Sequence, residues 1–413
     1  MATPTTTTAH RIPIDGPWLQ HLQNNGYVVI SNVASSADVK HARSLLWDAI
    51  EETYSSQGVY RSDMASWNDW PLDRRGFMQS GKITQSRGAW FLRGLPVLRS
   101  AFARIWGVNI ESEKDALVCS MDSVIAWRPW DGANHPWCPQ TEGLHIDQNP
   151  HTKRDFCCVQ GMLPLYDVTE QSGGLEVVPG SHLEQERHKK NCSGGTANWV
   201  MIPSNLYTKK QRYLVSAFEG DLILWDSRTV HGGVVGTGFG RAKSADTAEN
   251  YEGSVSVTTM MPSGAPSSVI APTDFSTDSI GLEKEECLHL EENCLDACST
   301  IQSVKGHPQD KRDSQVQKEA FTYGCQNFGA VTECPKMKGV EVPEYEKQLA
   351  RLSMTVCMTP RKWASDETLA ARKRVFRKGG TMSHWPHEGH ITRESAGPLY
   401  APIQLNQWEE ALL

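Results

Sequence analysis

Short apolar runs separated by glycine, proline and aspartate make up the middle of this chain. Val159–Leu165 is an apolar run of strand character, Gly173–Val178 is a glycine turn followed by a short strand, and Phe218–Asp226 is another turn that leads into a strand. Repeated short strands with turn residues between them are typical of an all-β sandwich or barrel, not of a parallel α/β sheet. We therefore predict a jelly-roll core, that is, a cupin-like double-stranded β-helix.

Helices are predicted on both sides of this β region, so the fold class is mainly β with flanking helices (α+β). Before it, the pattern predicts the strand Tyr27–Ile30, helices around Ala37–Thr53 and near Val97–Ile105, and one long strand over Ala116–Trp130. After it, the pattern predicts a helix at Ser365–Phe376.

The composition changes over residues 242–344, where Ser, Thr, Asp, Glu and Lys dominate and aromatic residues are few. A structureless run of this length is uncommon inside a compact domain, so we interpret it as a low-order, partly disordered insertion. Strand-like alternation returns at Ala350–Pro360. We predict a disordered N-terminus over residues 1–15 and a single domain over residues 16–413, which the insertion interrupts.

Composition and charge narrow the class of protein. Hydrophobic residues at 39% and charged residues at 22% are ordinary for a globular chain, and the net charge of −7 disfavours nucleic acids and anionic membranes as partners. No stretch has the apolar length of a membrane span, and the Thr-rich Met1–His10 has no apolar signal core. We expect a cytoplasmic protein with a small-molecule substrate and reduced thiols at its eleven cysteines, and the oligomeric state stays open.

His145 and Asp147 are two residues apart in a segment of strand character. Side chains two apart in a strand point to the same side, so both can bind one metal ion. His231, which follows a later strand, is the candidate third ligand. Two histidines and one carboxylate occupy one face of an octahedron and leave three positions open, as in non-haem iron(II) oxygenases.

Three segments in order carry a resemblance: GLHIDQNP, SGGLEVVPGSH and GDLILWDSRTVHGG. They resemble the phytanoyl-CoA dioxygenase-like family of iron(II)/2-oxoglutarate-dependent oxygenases, over about residues 16–235 and again over 348–390. The resemblance implies Fe(II) held by the three candidate ligands, 2-oxoglutarate as cosubstrate, and O2. It also implies hydroxylation or desaturation of a small organic metabolite, with release of succinate and CO2. Related halogenases have a small residue where this chain has Asp147, so an aspartate favours hydroxylation or desaturation.

2-Oxoglutarate needs a cation for its distal carboxylate, and a bidentate arginine serves best. In the family, this arginine begins the strand after the one that delivers the distal histidine. Arg241 has the usual spacing from His231 but no strand-like sequence after it, whereas Arg351 opens an alternating run. We favour Arg351, because a carboxylate clamp must lie on a rigid element, and Ser353 on the same face can add a hydroxyl donor.

Two further residues are candidates for the cosubstrate pocket. Gln160 is a polar residue at an inward strand position, and we expect it to hydrogen-bond cosubstrate or substrate. Trp127, on the long strand before the site, is expected to wall the 2-oxoglutarate pocket. Asp226 and Ser227 lie just before the distal ligand and are candidates to support the ligands from behind.

Two other functions remain open on the sequence alone. One is a non-catalytic, cupin-like metal- or ligand-binding jelly roll, although such sites usually carry more histidines and a glutamate. The other is a zinc hydrolase, for which no general base is placed. The substrate is also open: a coenzyme A ester would need clustered basic residues near the entrance, and Arg187–Lys190 is the only compact candidate.

Limited proteolysis tests the predicted insertion. Its composition cannot bury enough apolar surface to offset the entropy lost on ordering, so cleavage should begin between Ala242 and Glu344. A variant with this segment replaced by a short Gly/Ser linker should still fold and bind iron. Protection of the whole segment in the free protein would contradict the prediction.

Overall fold

Two facing β-sheets form the frame of the domain in this computed structural model, which describes residues 11–113, 115–192, 194–239 and 349–413. The chain divides into two units, one comprising Met1–Thr247 with Glu341–Leu413 and the other Ala248–Val340. The second unit, the predicted insertion at 242–344 and Arg241 lie outside the described residues. All described strands and helices belong to the first unit.

The described strands are mostly short. In chain order they are β1 (Arg11–Pro13), β2 (Tyr27–Ser31), β3 (Phe77–Met78), β4 (Leu117–Cys119), β5 (Val124–Trp127), β6 (His145–Ile146), β7 (Val159–Pro164), β8 (Gly173–Val177), β9 (Val200–Met201), β10 (Tyr213–Leu214), β11 (Leu222–Asp226), β12 (His231–Val235), β13 (Arg351–Pro360), β14 (Thr381–Met382) and β15 (Ile391–Arg393).

Strands that are neighbours in the sheets are rarely neighbours in the chain. The large sheet has the order β1-β2-β11-β7-β13-β5-β3, with β4 also paired to β13, and the small sheet has the order β10-β8-β12-β6-β9. The β1–β2 pair is parallel, whereas the central pairs β11–β7, β13–β7 and β12–β8 are antiparallel. The jelly-roll core with flanking helices is therefore confirmed.

Several of the helices begin and end at residues suited to those positions. In chain order they are α1 (Trp18–Asn25), α2 (Ser36–Thr53), α3 (Gly81–Thr84), α4 (Arg87–Gly94), α5 (Pro96–Trp106), α6 (Gln185–Asn191), α7 (Asp366–Lys378) and α8 (Gln407–Ala411). Ser35 and Asp38 form a capping box at the start of α2. Proline begins α5, and Gly107 ends it in the left-handed conformation. None of these helices combines the length and the apolar character needed to cross a membrane.

The main apolar core lies between the helices and the outer face of the large sheet. Trp90 and Phe102 from the helices pack there against one face of β13. That face consists of Leu352, Met354, Val356 and Met358, as the alternating sequence predicted. The opposite face of β13 turns Arg351 and Thr355 into a cavity between the two sheets.

The predicted long strand over Ala116–Trp130 is wrong, because it is broken into β4 and β5. Both pieces pair with the long strand β13, but at different positions along it. At the break, Ser120 bonds Cys357 twice: its backbone N–H donates to the Cys357 carbonyl, and its hydroxyl accepts from the Cys357 N–H. This local pairing turns residues 120–123 out of the regular ladder.

The predicted disorder of residues 1–15 is wrong for the described part, since Arg11–Pro13 forms β1. The Arg11 guanidinium donates two hydrogen bonds to the fully buried carboxylate of Asp221, at 2.7 and 2.8 Å. The same carboxylate accepts from the backbone N–H groups of Asn32, at 3.0 Å, and Phe218, at 2.9 Å. A charge-assisted pair on a buried acceptor thus fastens the N-terminal strand, which polar composition alone does not indicate.

Replacing Asp221 tests this anchor. Asp221→Ala leaves a guanidinium and two backbone N–H groups without their acceptor, so the free energy of unfolding should fall by about 3–5 kcal/mol. Arg11→Met should cost less, because Asp221 keeps both backbone donors and the Arg11 side chain is 30% exposed. Urea unfolding of both variants and the wild type provides the measurement. Equal stability of Asp221→Ala and the wild type would contradict the proposed anchor.

Candidate metal centre

His145, Asp147 and His231 come together on the inner face of the small sheet. His145 begins β6 and lies directly opposite His231, the first residue of β12. One potential ligand atom from each of the three residues lies within 4.8 Å of the others. Within the described ranges, no other trio of His, Cys, Asp or Glu side chains meets this criterion.

Backbone carbonyls orient both imidazole rings. His145 Nδ1 lies 2.9 Å from the Gly143 carbonyl oxygen, and His231 Nδ1 lies 2.9 Å from that of Thr229. Because a carbonyl oxygen only accepts, each Nδ1 must carry the proton when the ring is neutral. Each Nε2 then has a free lone pair for a metal ion, which is the usual arrangement of ligating histidines.

Asp147 is held by groups from a different part of the fold. Its backbone N–H donates to the Ser227 carbonyl at 3.1 Å. Its Oδ2 accepts from Gln160 Nε2 at 2.8 Å and lies 3.2 Å from His231 Nε2. Gln160 lies on β7 of the large sheet, and its Nε2 also lies 3.3 Å from the Ser227 hydroxyl. The carboxylate is therefore positioned from both sheets.

Electrostatics favour the ionised form of Asp147 and the neutral form of His145, which are the forms that bind a metal ion. Burial acts to raise the pKa of Asp147, but His384, His231 and His145 together bring it below its usual value. Burial and the nearby His231 lower the pKa of His145. An ionised carboxylate beside a neutral imidazole suits a divalent cation, and this donor set fits iron(II).

Arg351, the first residue of β13, is a buried cation in the same cavity. Burial lowers its pKa to about 10, so it stays charged at neutral pH. Its guanidinium carbon lies 4.6 Å from the centre of the Trp127 ring, and its Nε lies 3.4 Å from the Ser353 hydroxyl. Met162 Sδ contacts its Nη2. In the described part of the chain, Arg351 has no ion pair with a carboxylate.

The cavity has a volume of about 280 Å3 and is lined by the three candidate ligands together with Arg351, Trp127 and Gln160. Trp127 is fixed there by a 2.9 Å hydrogen bond from its indole N–H to the Arg75 carbonyl. The structure thus brings most of the predicted site residues to one place. Ser353 does not line the cavity but lies fully buried beside Arg351.

The structure adds contacts for two residues of the sequence interpretation. Gln160 is predicted to hydrogen-bond cosubstrate or substrate, and here its amide nitrogen contacts Asp147 and Ser227. Ser227 contacts the metal-site network as expected, whereas the Asp226 carboxylate is bound by Arg228, with 2.6 Å between Oδ2 and Nη2. Gln160 and Ser227 therefore position the Asp147 carboxylate from behind.

Several residues of the cavity were missed by the sequence interpretation. Asp122 and His384 line it, from the strand break and from the C-terminal segment. Trp225 packs against His231 and Trp199 against His145, with ring centres 5.5 and 5.6 Å apart. The histidine-rich stretch around His384 was a visible signal, but nothing in the sequence placed it beside Asp147.

A family model described as Phytanoyl-CoA dioxygenase (PhyH) matches residues 22–235. Among curated proteins, the chain is similar to Ava biosynthesis cluster protein O of Aspergillus versicolor, with 26% identity over 263 residues, covering 56% of this chain and 78% of that protein.

Three solved structures are similar to part of this chain. The non-haem α-ketoglutarate-dependent carbocyclase SnoK from nogalamycin biosynthesis has 17% identity, covers 56% of this chain and 82% of its own, and has a TM-score of 0.36. The non-haem monooxygenase ThoJ has 15% identity, 54% and 72% coverage, and a TM-score of 0.37. EvdO2 of Micromonospora carbonacea var. aurantiaca, complexed with 2-oxoglutarate, has 14% identity, 57% and 87% coverage, and a TM-score of 0.33.

Each of these structures covers only part of this chain. The family is shown by the match to the Phytanoyl-CoA dioxygenase model. That match spans just over half of the 413 residues and contains all three candidate metal ligands. The chain therefore belongs to the phytanoyl-CoA dioxygenase family and is a non-haem iron(II)- and 2-oxoglutarate-dependent oxidoreductase.

Proposed function

We propose that His145, Asp147 and His231 bind iron(II), that Arg351 binds the distal carboxylate of 2-oxoglutarate, and that the protein hydroxylates or desaturates a small organic metabolite. Iron(II) with 2-oxoglutarate and O2 supplies the oxidising chemistry, in which succinate and CO2 are released. The observation that carries this proposal is a buried arginine that has no carboxylate partner among the described residues and faces the same cavity as a two-histidine, one-carboxylate cluster.

The residues around Arg351 support a role in carboxylate binding. A buried cation is costly unless it is paired, so the cavity favours an anionic ligand next to this guanidinium. The Trp127 ring holds the guanidinium plane from one side, and Ser353 contacts its Nε. A guanidinium fixed in this way loses little further freedom when it forms two hydrogen bonds to a carboxylate.

The free thiols support a cytoplasmic location, which is part of the proposal. The described cysteines are unpaired, including Cys158 and Cys357, whose sulfur atoms are 3.6 Å apart. Free thiols are the usual state of cysteines in a reducing compartment.

Substitutions at the metal site should have graded effects on iron affinity. His145→Ala and Asp147→Ala each remove a ligand and should abolish iron binding and 2-oxoglutarate-dependent succinate formation. Gln160→Leu should weaken iron binding about 10- to 100-fold, because the Asp147 carboxylate loses its orienting donor. Competition with a chelator measures the affinity.

Gln79→Leu is the matched control, since Gln79 lines the same cavity but donates to Ser123 instead of a candidate ligand. It should keep the iron affinity of the wild type. Normal iron occupancy and succinate production in His145→Ala or Asp147→Ala would show that the ligand assignment is wrong. An unchanged affinity in Gln160→Leu would remove only the role of Gln160.

Titration with 2-oxoglutarate distinguishes the two arginines. Losing a buried charge-assisted pair costs a few kcal/mol, so Arg351→Ala should raise the 2-oxoglutarate requirement by about two or more orders of magnitude. The 2-oxoglutarate requirement of Arg351→Lys should lie between those of the wild type and Arg351→Ala. An ammonium keeps the charge but does not reproduce the bidentate geometry of a guanidinium. Arg241→Ala should change the requirement little.

Arg361→Ala is the matched control, because it also removes an arginine next to β13. Arg361 follows the last residue of β13 and pairs with Asp115, and it does not line the cavity. The measurement is succinate release at increasing 2-oxoglutarate concentration. A large defect in Arg241→Ala together with a near-normal Arg351→Ala would reverse the assignment.

A further inference from the structure

Asp122 is an acidic side chain in the cavity that the metal and cosubstrate do not use. It lies in the break between β4 and β5 and lines the cavity on the side of the large sheet. Its Oδ1 accepts a 3.0 Å hydrogen bond from the neighbouring Ser123 hydroxyl. Among the described residues, no basic group forms an ion pair with this carboxylate. A partner for it can therefore come from a bound molecule.

The surroundings of Asp122 favour a ligand that carries a hydrogen-bond donor. Burial raises its pKa, and His384 and Arg93 act in the opposite direction without contacting it closely enough for an ion pair. His384 Nε2, which is buried, has no hydrogen-bond partner of its own in the described structure. A ligand that brings a positive charge or an N–H group to Asp122 would offset the partial loss of hydration of this half-buried carboxylate.

Two exposed aromatic side chains line the same cavity. Phe77 lies on β3 and is 39% exposed, and Trp199 directly precedes β9 and is 41% exposed. β3 and β9 are the last strands at one end of their respective sheets. Aromatic side chains left open to solvent on both sheets, at one cavity, are suited to contact the flat apolar body of a ligand.

Basic side chains that could bind phosphate groups are absent from the described lining of this cavity. It contains no lysine, and its two arginines are Arg351 and Arg75, of which Arg75 is bound by Asp73 and Glu142. The basic run Arg187–Lys190 lies on α6 and does not reach the cavity, and within it His188 bonds Tyr207. A coenzyme A ester therefore finds no phosphate contacts here among the described residues.

We propose that the substrate is an amine-bearing, unphosphorylated molecule with a flat apolar body, which donates an N–H to Asp122 while its body lies between Phe77 and Trp199. This inference rests on the proposed function, because it assigns the substrate class of the same cavity. Binding through Asp122 would place the apolar body beside the candidate metal ligands, since all of these residues line one space.

Three probes of one shape test the inference on the wild-type protein. The probes are 2-(2-naphthyl)ethylamine, 2-(2-naphthyl)ethanol and 2-naphthylacetate, and binding is measured by calorimetry without oxygen, with iron(II) and 2-oxoglutarate present. The amine should bind about tenfold more tightly than the alcohol, because its hydrogen bond to Asp122 is charge-assisted, and the carboxylate should bind most weakly. Ethylamine, which lacks the flat body, should bind far more weakly than the naphthyl amine.

Variants then assign the effect to individual side chains. Asp122→Asn should remove the preference for the amine, whereas Asp69→Asn, an exposed aspartate outside the cavity, should keep it. Phe77→Ala and Trp199→Ala should weaken all three probes together. Phe156→Ala and Trp363→Ala are controls with similar exposure, 36% and 39%, and should have no effect.

Specific results would overturn the inference. The inference is wrong if the wild-type protein binds the carboxylate probe as tightly as the amine probe. This comparison needs no variant, so it tests the inference even if Asp122→Asn fails to fold. The inference is also wrong if folded Asp122→Asn still prefers the amine probe. It is wrong as well if Phe77→Ala and Trp199→Ala both bind the probes with unchanged affinity. A protein that consumes 2-oxoglutarate but prefers the carboxylate overturns only this inference. One that prefers the amine but never consumes 2-oxoglutarate overturns only the proposed function.

Discussion

A hydrogen bond from Gln160 Nε2 to Asp147 Oδ2 holds the candidate metal centre against the large sheet. The two histidines belong to the small sheet, and Gln160 and Arg351 belong to the large one. The relative positions of these side chains therefore depend on a fixed separation and a fixed register between the two sheets. Apolar side chains between the sheets provide this: Val29, Met162, Ile223 and Trp225 from the large sheet pack with Leu175, Val177 and Leu214 from the small one. Close packing of this kind resists small displacements, which preserves the geometry of the ligands.

The cavity separates charges that would otherwise neutralise one another. Asp147 is surrounded by histidines and bound by Gln160, whereas Arg351 lies on an aromatic ring. In the part of the chain that the structure describes, Arg351 forms no ion pair with an acidic residue, and Asp122 forms none with a basic residue. Charges removed from water are costly when they are unpaired, so three sites in the cavity favour three different groups. The histidines with Asp147 favour a cation, Arg351 favours a carboxylate, and Asp122 favours a hydrogen-bond donor. Direct pairing of Arg351 with either aspartate would remove two of these preferences at once.

Departures from regular structure occur at the same cavity. The strand break at residues 120–123 turns Asp122 into it. After His231, the chain continues with Gly232 and Gly233, which line the cavity. A Cβ on Gly233 would lie 2.7 Å from a side-chain carbon of Thr141, so a larger residue at this position would force Thr141 to shift. Local irregularities that cost regular pairing are commonly found where a protein positions ligands.

The sequence by itself determined the jelly-roll class, the faces of β13 and the identity of the three candidate ligands. Alternation reports which face of a strand is buried, and a His-x-Asp pair followed by a distant histidine carries enough chemical restriction to be recognised. Only the tertiary structure decided that Gln160 contacts Asp147, that Asp122 and His384 line the cavity, and that Arg11 is anchored on Asp221. These contacts join residues far apart in the chain, and they depend on the register between strands and on the separation of the sheets. A local pattern of polar and apolar residues contains no information about which side chain lies opposite another across that space.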